Sequence, residues 1–155
     1  MCAEPSFDIQ AAHRFFSVEC FNKAWDLIDK KDRTPDDDEQ MIRLSLASTW
    51  HWSQRSDCTA ENYSIGYWQI ARIYTLVGQV ENARRYGQLC LQAAQTAGVA
   101  AFALGYAYEA LARAEALAGN KSQMQAYLVE AHKISGAMTD LEAKEQLQAD
   151  LDTVR

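Results

Sequence analysis

Apolar residues recur along most of the chain at intervals of three and four, the spacing that places them on one face of an α-helix. The first such stripe comprises Phe16, Cys20, Ala24 and Ile28, with Phe21 and Trp25 in the adjacent row. Divided at polar turns, this pattern predicts seven helices, at about 11–30, 35–54, 60–77, 80–97, 100–118, 121–135 and 140–152. Residues 1–10 precede them as a short N-terminal arm, and residues 140–152 form a capping helix.

Capping residues and glycines define the predicted helix ends. Thr34, Pro35 and the three aspartates that follow are typical of a helix start, because threonine caps, proline fits the first position and acids favour the positive end of the helix dipole. Asn120 and Thr139 each precede a Gln or Glu by three residues, the capping-box spacing. Glycines that could adopt the left-handed conformation past a helix end occur at positions 78, 98, 119 and 136.

The second half of the chain contains an internal repeat with a shift of 41 residues. Comparing residues 64–91 with 105–132 gives six identities in 28 positions. The matched pairs are Tyr67/Tyr108, Ala71/Ala112, Arg72/Arg113, Leu76/Leu117, Gly78/Gly119 and Tyr86/Tyr127. We expect the paired alanines where helices cross closely and the paired glycines at the turn of each helical hairpin.

These repeats resemble the tetratricopeptide repeat, with a longer period than the 34 residues of that family. The positions that carry the resemblance are Ile70-Ala71, Tyr74, Gly78, Ala83, Gly87 and Cys90 in one copy, and Leu111-Ala112, Glu115, Gly119, Met124, Leu128 and Ala131 in the next. The resemblance covers residues 63–135 and implies one all-α domain over 1–155. Its antiparallel hairpins would stack as a short right-handed array, with 11–54 as a divergent hairpin and 60–97 and 100–135 as repeats.

In tetratricopeptide proteins the first helix of each pair lines a concave surface that binds peptides or partner proteins. The resemblance places five candidate partner-binding residues on that surface: Trp68, Arg72, Tyr106, Glu109 and Arg113. Two guanidinium groups can bind carboxylates in a bidentate manner, and the aromatic rings offer flat apolar contact. A peptide with acidic groups would suit this lining. The alternative interpretation is that both arginines pair with Glu109, Glu115 or nearby acids inside the fold.

The segment Trp50-His51-Trp52 is the second candidate, as a small-ligand or catalytic pocket together with Trp68. Successive residues on a helix point about 100° apart, so these three cannot share one face. We therefore expect Trp50 in the core and His51 or Trp52 in a seam between helices. A third hypothesis is a structural homodimer that protects apolar terminal hairpins.

Composition and charge narrow the functional classes. The chain has 155 residues, two prolines and a formal charge of −6, which favours a helical domain and disfavours nucleic-acid and anionic-membrane surfaces. Arg84-Arg85, the densest basic pair, is predicted to be a solvated face. The four cysteines form no CxxC pair, and we expect Cys20 and Cys90, which lie among apolar residues, to be small buried hydrophobes with free thiols. No signal peptide or spanning segment is recognised, and we predict a cytoplasmic protein.

No catalytic motif is recognised. The three histidines lack zinc-ligand spacing, and no nucleophile elbow, phosphate loop or dinucleotide fingerprint occurs. We therefore predict a protein without enzymatic activity, metal or cofactor, whose function is to bind another protein.

Overall fold

The computed structural model describes residues 6–155, and over that range the chain is all-helical, with seven helices and no strand. The helices are α1 (Ile9–Ile28), α2 (Pro35–Ser53), α3 (Ala60–Leu76), α4 (Val80–Ala94), α5 (Ala101–Leu117), α6 (Lys121–Ala137) and α7 (Leu141–Leu151). The predicted all-α class is confirmed, and the predicted helices agree with these bounds to within three residues. Of the predicted arm, residues 1–5 lie outside the described residues, and Asp8 caps α1 through the amide of Ala11.

The predicted start of α2 is confirmed in detail. The Thr34 hydroxyl accepts from the Asp37 amide, and the Asp37 carboxylate accepts from the Thr34 amide at 2.8 Å. The Asp37 pKa is lowered to about 2, first by the ammonium of Lys30 and then by the Thr34 amide. The predicted Thr139 cap is wrong: Asp140 caps α7, because its carboxylate reaches the Ala143 amide at 3.1 Å.

Three of the four glycine predictions are confirmed. Gly78, Gly98 and Gly119 have φ between +72° and +87°, in the region that side chains with a Cβ avoid. Gly136 is the exception: it lies within α6, which ends one residue later at Ala137. The spacing of glycines alone could not distinguish a helix end from a helical glycine.

The chain divides into two compact units, the first ending at Thr59 and the second beginning at Ala60. The expectation of a single domain over 1–155 stays a prediction. In the first unit α1 and α2 pack as a hairpin whose fully buried positions are Ser17, Ala24, Met41, Ser45 and Ser48. The predicted stripe on α1 is correct only at Ala24, since Phe16 is 44% exposed and the others are half-buried. Small hydroxyl side chains take most of the fully buried positions of this hairpin, while the aromatic side chains of the stripe stay at least partly exposed.

In the second unit, the 41-residue sequence repeat corresponds to a repeat of helices. Helix α3 pairs with α4 and α5 with α6, while α5 also contacts α3 and α4, and α7 packs on α5 and α6. Helix α3 begins at Ala60 and α5 at Ala101, 41 residues later; α4 and α6 begin at Val80 and Lys121, with the same shift. The neighbouring helices therefore form a repeat-like array.

Equivalent side chains make equivalent contacts in the two copies. The rings of Tyr67 and Tyr86 lie 6.0 Å apart, and those of Tyr108 and Tyr127 lie 6.1 Å apart. The turns also match, because the Gln79 amide donates to the Tyr74 carbonyl at 2.8 Å and the Asn120 amide donates to the Glu115 carbonyl at 2.9 Å. The six identities thus include ring pairs and turn glycines that perform the same structural task twice.

Small residues allow these helices to approach closely. Ala71 and Ala112 are fully buried, and their place at helix crossings stays a prediction. A Cβ at Gly87 would lie 2.8 Å from the Cδ2 of Leu111, and one at Gly105 would lie 2.5 Å from the Cδ2 of Leu147. Both distances are shorter than those that real Cβ atoms show. The contacts between α4 and α5 and between α5 and α7 are therefore this close because a glycine is present at each. At the position of Gly87 the tetratricopeptide pattern has an aromatic residue, which this packing could not accommodate.

Candidate functional site

The predicted partner-binding residues lie on two neighbouring helices of the second unit. Trp68 and Arg72 are on α3, and Tyr106, Glu109 and Arg113 are on α5. Their exposure differs sharply: Glu109 is 1% exposed, whereas Trp68, Arg72 and Tyr106 are half-buried. We call the surface formed by these residues the α3–α5 face.

Glu109 is the centre of a polar network beneath this face. Its carboxylate accepts from the indole nitrogen of Trp68, with 2.9 Å between Nε1 and Oε2, and from Nε of Arg113. A buried carboxylate is tolerated only when a cation and further donors replace the water that it loses. Because Trp68 is the position equivalent to Glu109 in the preceding copy, this contact joins successive repeats at matching sites.

The C-terminal turn of α7 and the residues after it complete the network. Nη2 of Arg113 donates to the Asp150 carbonyl at 2.9 Å and to Oγ1 of Thr153 at 2.6 Å. The hydroxyl of Tyr106 donates to Oδ2 of Asp150 at 2.7 Å. The Tyr106 pKa is raised, first by burial and then by the Asp150 carboxylate. Arg113 was considered either as a partner-binding residue or as the partner of an acid inside the fold. The structure contains the second of these arrangements.

The aromatic side chains of the α3–α5 face are held by these contacts. The rings of Trp68 and Tyr106 meet edge to face with 5.3 Å between their centroids, and each ring has a polar atom anchored by a carboxylate. Ile65 of α3 is 37% exposed and Leu117 of α5 is 39% exposed. The face thus combines fixed aromatic rings with accessible apolar side chains.

An open cleft of about 230 Å³ continues the face. Its lining residues are Thr75, Arg113, Ala116, Leu117, Thr153, Val154 and Arg155. One of these, Arg113, is among the five partner-binding residues that the tetratricopeptide resemblance predicts, and Thr75, Ala116 and Leu117 lie on the same two helices. The sequence pattern missed Thr153, Val154 and Arg155, because they follow α7 and have no counterpart in the repeat. The lining contains two guanidinium groups and no acidic side chain.

A second ion pair links the two copies away from this face. Arg84 donates to both oxygens of Glu115, at 2.8 and 2.9 Å, and also to Glu81 at 2.7 Å. The bidentate contact with Arg84 lowers the Glu115 pKa. Glu115 stands where the tetratricopeptide pattern has a tyrosine, so this departure from the pattern is explained by a new partner. Arg84 is engaged by acids, and the prediction of a wholly solvated basic pair is wrong for this residue.

The Trp50-His51-Trp52 segment ends α2 in the first unit. Trp50 is 56% exposed, so its predicted core position is wrong: positions 41, 45 and 48 face α1, and Trp50 points away from that row. His51 does lie in the seam between helices, with its Nδ1 2.8 Å from Nδ1 of His13. Trp52 lies beneath the guanidinium of Arg55, 3.7 Å from the ring centroid. Trp68, the remaining member of the predicted pocket, belongs to the second unit.

The predicted burial of the thiols is confirmed for Cys90 and is wrong for Cys20, which is only half-buried. Cys20 and Cys90 are free thiols, and Cys2 lies outside the described residues. Cys90 is 1% exposed, and burial raises its pKa to about 12 because the thiolate is disfavoured without water. This thiol packs as a small hydrophobe.

Within residues 6–155, no helix has the length and apolar character required to cross a membrane. In the same range, no three His, Cys, Asp or Glu side chains are grouped so as to hold a metal ion. Comparisons of the chain with protein-family models, with curated proteins and with solved structures find no match.

Proposed function

We propose that this chain is a non-catalytic protein-interaction module that binds a segment of a partner protein along the α3–α5 face and the cleft beside it. The observation that carries the proposal is the combination of an anchored aromatic pair with an open, partly apolar cleft on the same helices. Rigid aromatic side chains bind with little loss of conformational entropy, and a cleft admits an anchoring side chain. The tetratricopeptide-like pattern supports the same surface.

The chemistry of the cleft favours a particular kind of segment. Leu117 and Ala116 offer apolar contact, and the guanidinium of Arg155 offers a partner for a carboxylate. Arg113 already pairs with Glu109, so its role is to order the face. We infer that the bound segment places an apolar side chain against Leu117, with an acidic residue nearby.

The network beneath the face has a physical role in this proposal. A buried ion pair contributes little net stability compared with apolar packing of the same volume. It does fix the positions of the groups around it, and here it holds Trp68 and Tyr106 in one arrangement. The binding surface is therefore formed before a partner arrives.

Selection from a random peptide display library tests the proposal. Enriched peptides are expected to bind the wild type and Val129→Asp equally, and to lose at least about tenfold in affinity, or 1.4 kcal/mol, for Leu117→Asp. Val129 is the matched control because it is a 50% exposed valine on α6 and lies outside the cleft lining. Failure to enrich any peptide, or equal binding by Leu117→Asp, would contradict the assignment.

The competing hypothesis is that a second copy of the chain, and not a separate partner, covers the α3–α5 face. Light scattering at increasing concentration distinguishes the two cases: a monomer supports a separate partner, whereas a dimer that Leu117→Asp dissociates assigns the face to self-association.

A further inference from the structure

We infer that His13 and His51 form a two-histidine site for a divalent transition-metal ion of the Zn²⁺ or Ni²⁺ type. The two Nδ1 atoms face each other at 2.8 Å, from α1 and from the last turn of α2. Two neutral imidazoles can make this contact only if one nitrogen donates a single proton and the other accepts it. A metal ion binds both Nδ1 atoms as ligands when the donor ring carries its proton on Nε2 instead of Nδ1, so that both rings remain neutral.

The distance between the two Nδ1 atoms suits metal binding. A tetrahedral ion bound at about 2.0–2.1 Å by both nitrogens holds them about 3.3–3.4 Å apart. The Nδ1 atoms of His13 and His51 therefore separate by roughly half an ångström on metal binding, which small rotations of the two rings supply. Imidazole nitrogen is a preferred ligand of zinc, copper and nickel ions.

The backbone around the pair is fixed. The Ser48 hydroxyl donates to the Ser17 carbonyl at 2.6 Å, and Nη1 of Arg55 donates to the Ser17 hydroxyl at 2.9 Å. The first contact joins α1 to α2 and the second joins α1 to the residues just after α2, each three or four residues along the chain from a histidine. The site is thus carried on two helices whose mutual position is set independently of the metal.

The surroundings of the two histidines leave room for water ligands on the ion. Both histidines are half-buried, so solvent reaches the site, and the described residues provide no group of three ligands. Water completes the coordination.

The aromatic rings beside the pair provide a local reporter. The Trp50 ring centroid is 5.4 Å from that of His13 and 4.8 Å from that of His51. An ion between the histidines therefore lies close to the Trp50 indole. Ni²⁺ is expected to quench the emission of Trp50, and Trp50→Phe should remove that part of the response.

Calorimetric titration of the whole chain with Ni²⁺ and with Zn²⁺ tests the site. His13→Gln and His51→Gln should each weaken metal binding by at least roughly 10–100-fold. Removal of an outer-shell contact alone has an effect of that size, and each of these residues is a direct ligand. His132→Gln is the matched control, because His132 is an exposed histidine on α6 in the second unit. Wild-type affinity in both His13→Gln and His51→Gln would overturn the proposal.

A measurement on the wild type is independent of whether the variants fold. Nitrogen NMR of the imidazole rings should show Zn²⁺-dependent shifts at Nδ1 of His13 and of His51, with His132 unchanged. Shifts confined to His132, or no ring shifts at all, would also overturn the assignment.

Discussion

The two units of this chain are both helical, yet they bury different chemistry. In the second unit a carboxylate, Glu109 of α5, is 1% exposed and accepts from Trp68 of α3 and from Arg113. In the first unit the buried positions between helices include Ser17, Ser45 and Ser48, while Phe16 and Trp50 remain about half exposed. A helical repeat thus places its ionic groups where successive copies meet, whereas the hairpin is joined by hydroxyl contacts and leaves aromatic groups at its surface.

The largest expected effect tests the buried ion pair of the second unit. Glu109→Ala leaves the guanidinium of Arg113 without its carboxylate and should lower the free energy of unfolding by about 3–5 kcal/mol. Urea unfolding followed by circular dichroism measures this change. Glu145→Ala is the control, because Glu145 is an exposed glutamate on α7 and should change stability by less than about 0.5 kcal/mol.

The same experiment separates charge from packing. Replacing both partners, in Glu109→Ala with Arg113→Met, removes the uncompensated charge and should recover part of the lost stability. If Glu109→Ala costs no more than Glu145→Ala, the network does not order the face. The distinction between the two units would then rest on packing alone.

A smaller effect tests the glycine contact between α5 and α7. Gly105→Ala places a Cβ 2.5 Å from the Cδ2 of Leu147, which is fully buried, and overpacking of this kind costs about 1–3 kcal/mol. The gain in helix propensity offsets up to about 1 kcal/mol of that cost. We expect a net loss of stability, measured by thermal or urea unfolding.

Two comparisons make this prediction specific. Gly136→Ala, also within a helix but with open space at its Cβ, should leave stability unchanged or raise it by up to about 1 kcal/mol. In a Leu147→Ala background the clash at Gly105 disappears, so Gly105→Ala should become neutral or stabilising there. Additive effects of Gly105→Ala and Leu147→Ala would argue against direct contact.

The smallest expected effect belongs to the first unit and depends on pH. The His51 pKa is lowered in the folded protein, by burial and then by His13, from an ordinary value of about 6.5. Between that value and the folded-state pKa, the unfolded chain holds more protons than the folded one. The free energy of unfolding therefore falls as pH falls through this window and then levels off.

His51→Gln should flatten this dependence. Denaturant unfolding of the wild type and of His51→Gln between pH 7.5 and 5 measures the difference, with His132→Gln as the control that keeps the slope. A slope that persists unchanged in His51→Gln would show that the seam between α1 and α2 does not disfavour the charged ring.

Local signals in the sequence predicted much of the second unit. Gly78 and Gly119 end their helices because only a residue without Cβ adopts positive φ there at low cost, and that requirement is readable from spacing. The match of Tyr67 and Tyr86 with Tyr108 and Tyr127 likewise followed from the 41-residue shift. The capping residue of α7 was misassigned, since Thr139 and Asp140 are adjacent and both residue types can cap.

The candidate site was predicted only in part. The positions of Trp68, Tyr106 and Arg113 followed from the repeat, but their contacts did not. Asp150 and Thr153 bind two of these side chains from a segment about 40 residues further along the chain. The His13–His51 contact, across 38 residues, is similar: no spacing rule relates the two positions.

The sequence by itself determined where helices begin and end and which residues repeat, because capping, backbone conformation and apolar periodicity act within a few residues of one another. Tertiary structure decided which charges are buried, which aromatic rings are exposed and which histidines meet. Those outcomes depend on the rotation and separation of whole helices, which the small residues at Gly87 and Gly105 permit and which no single helix specifies.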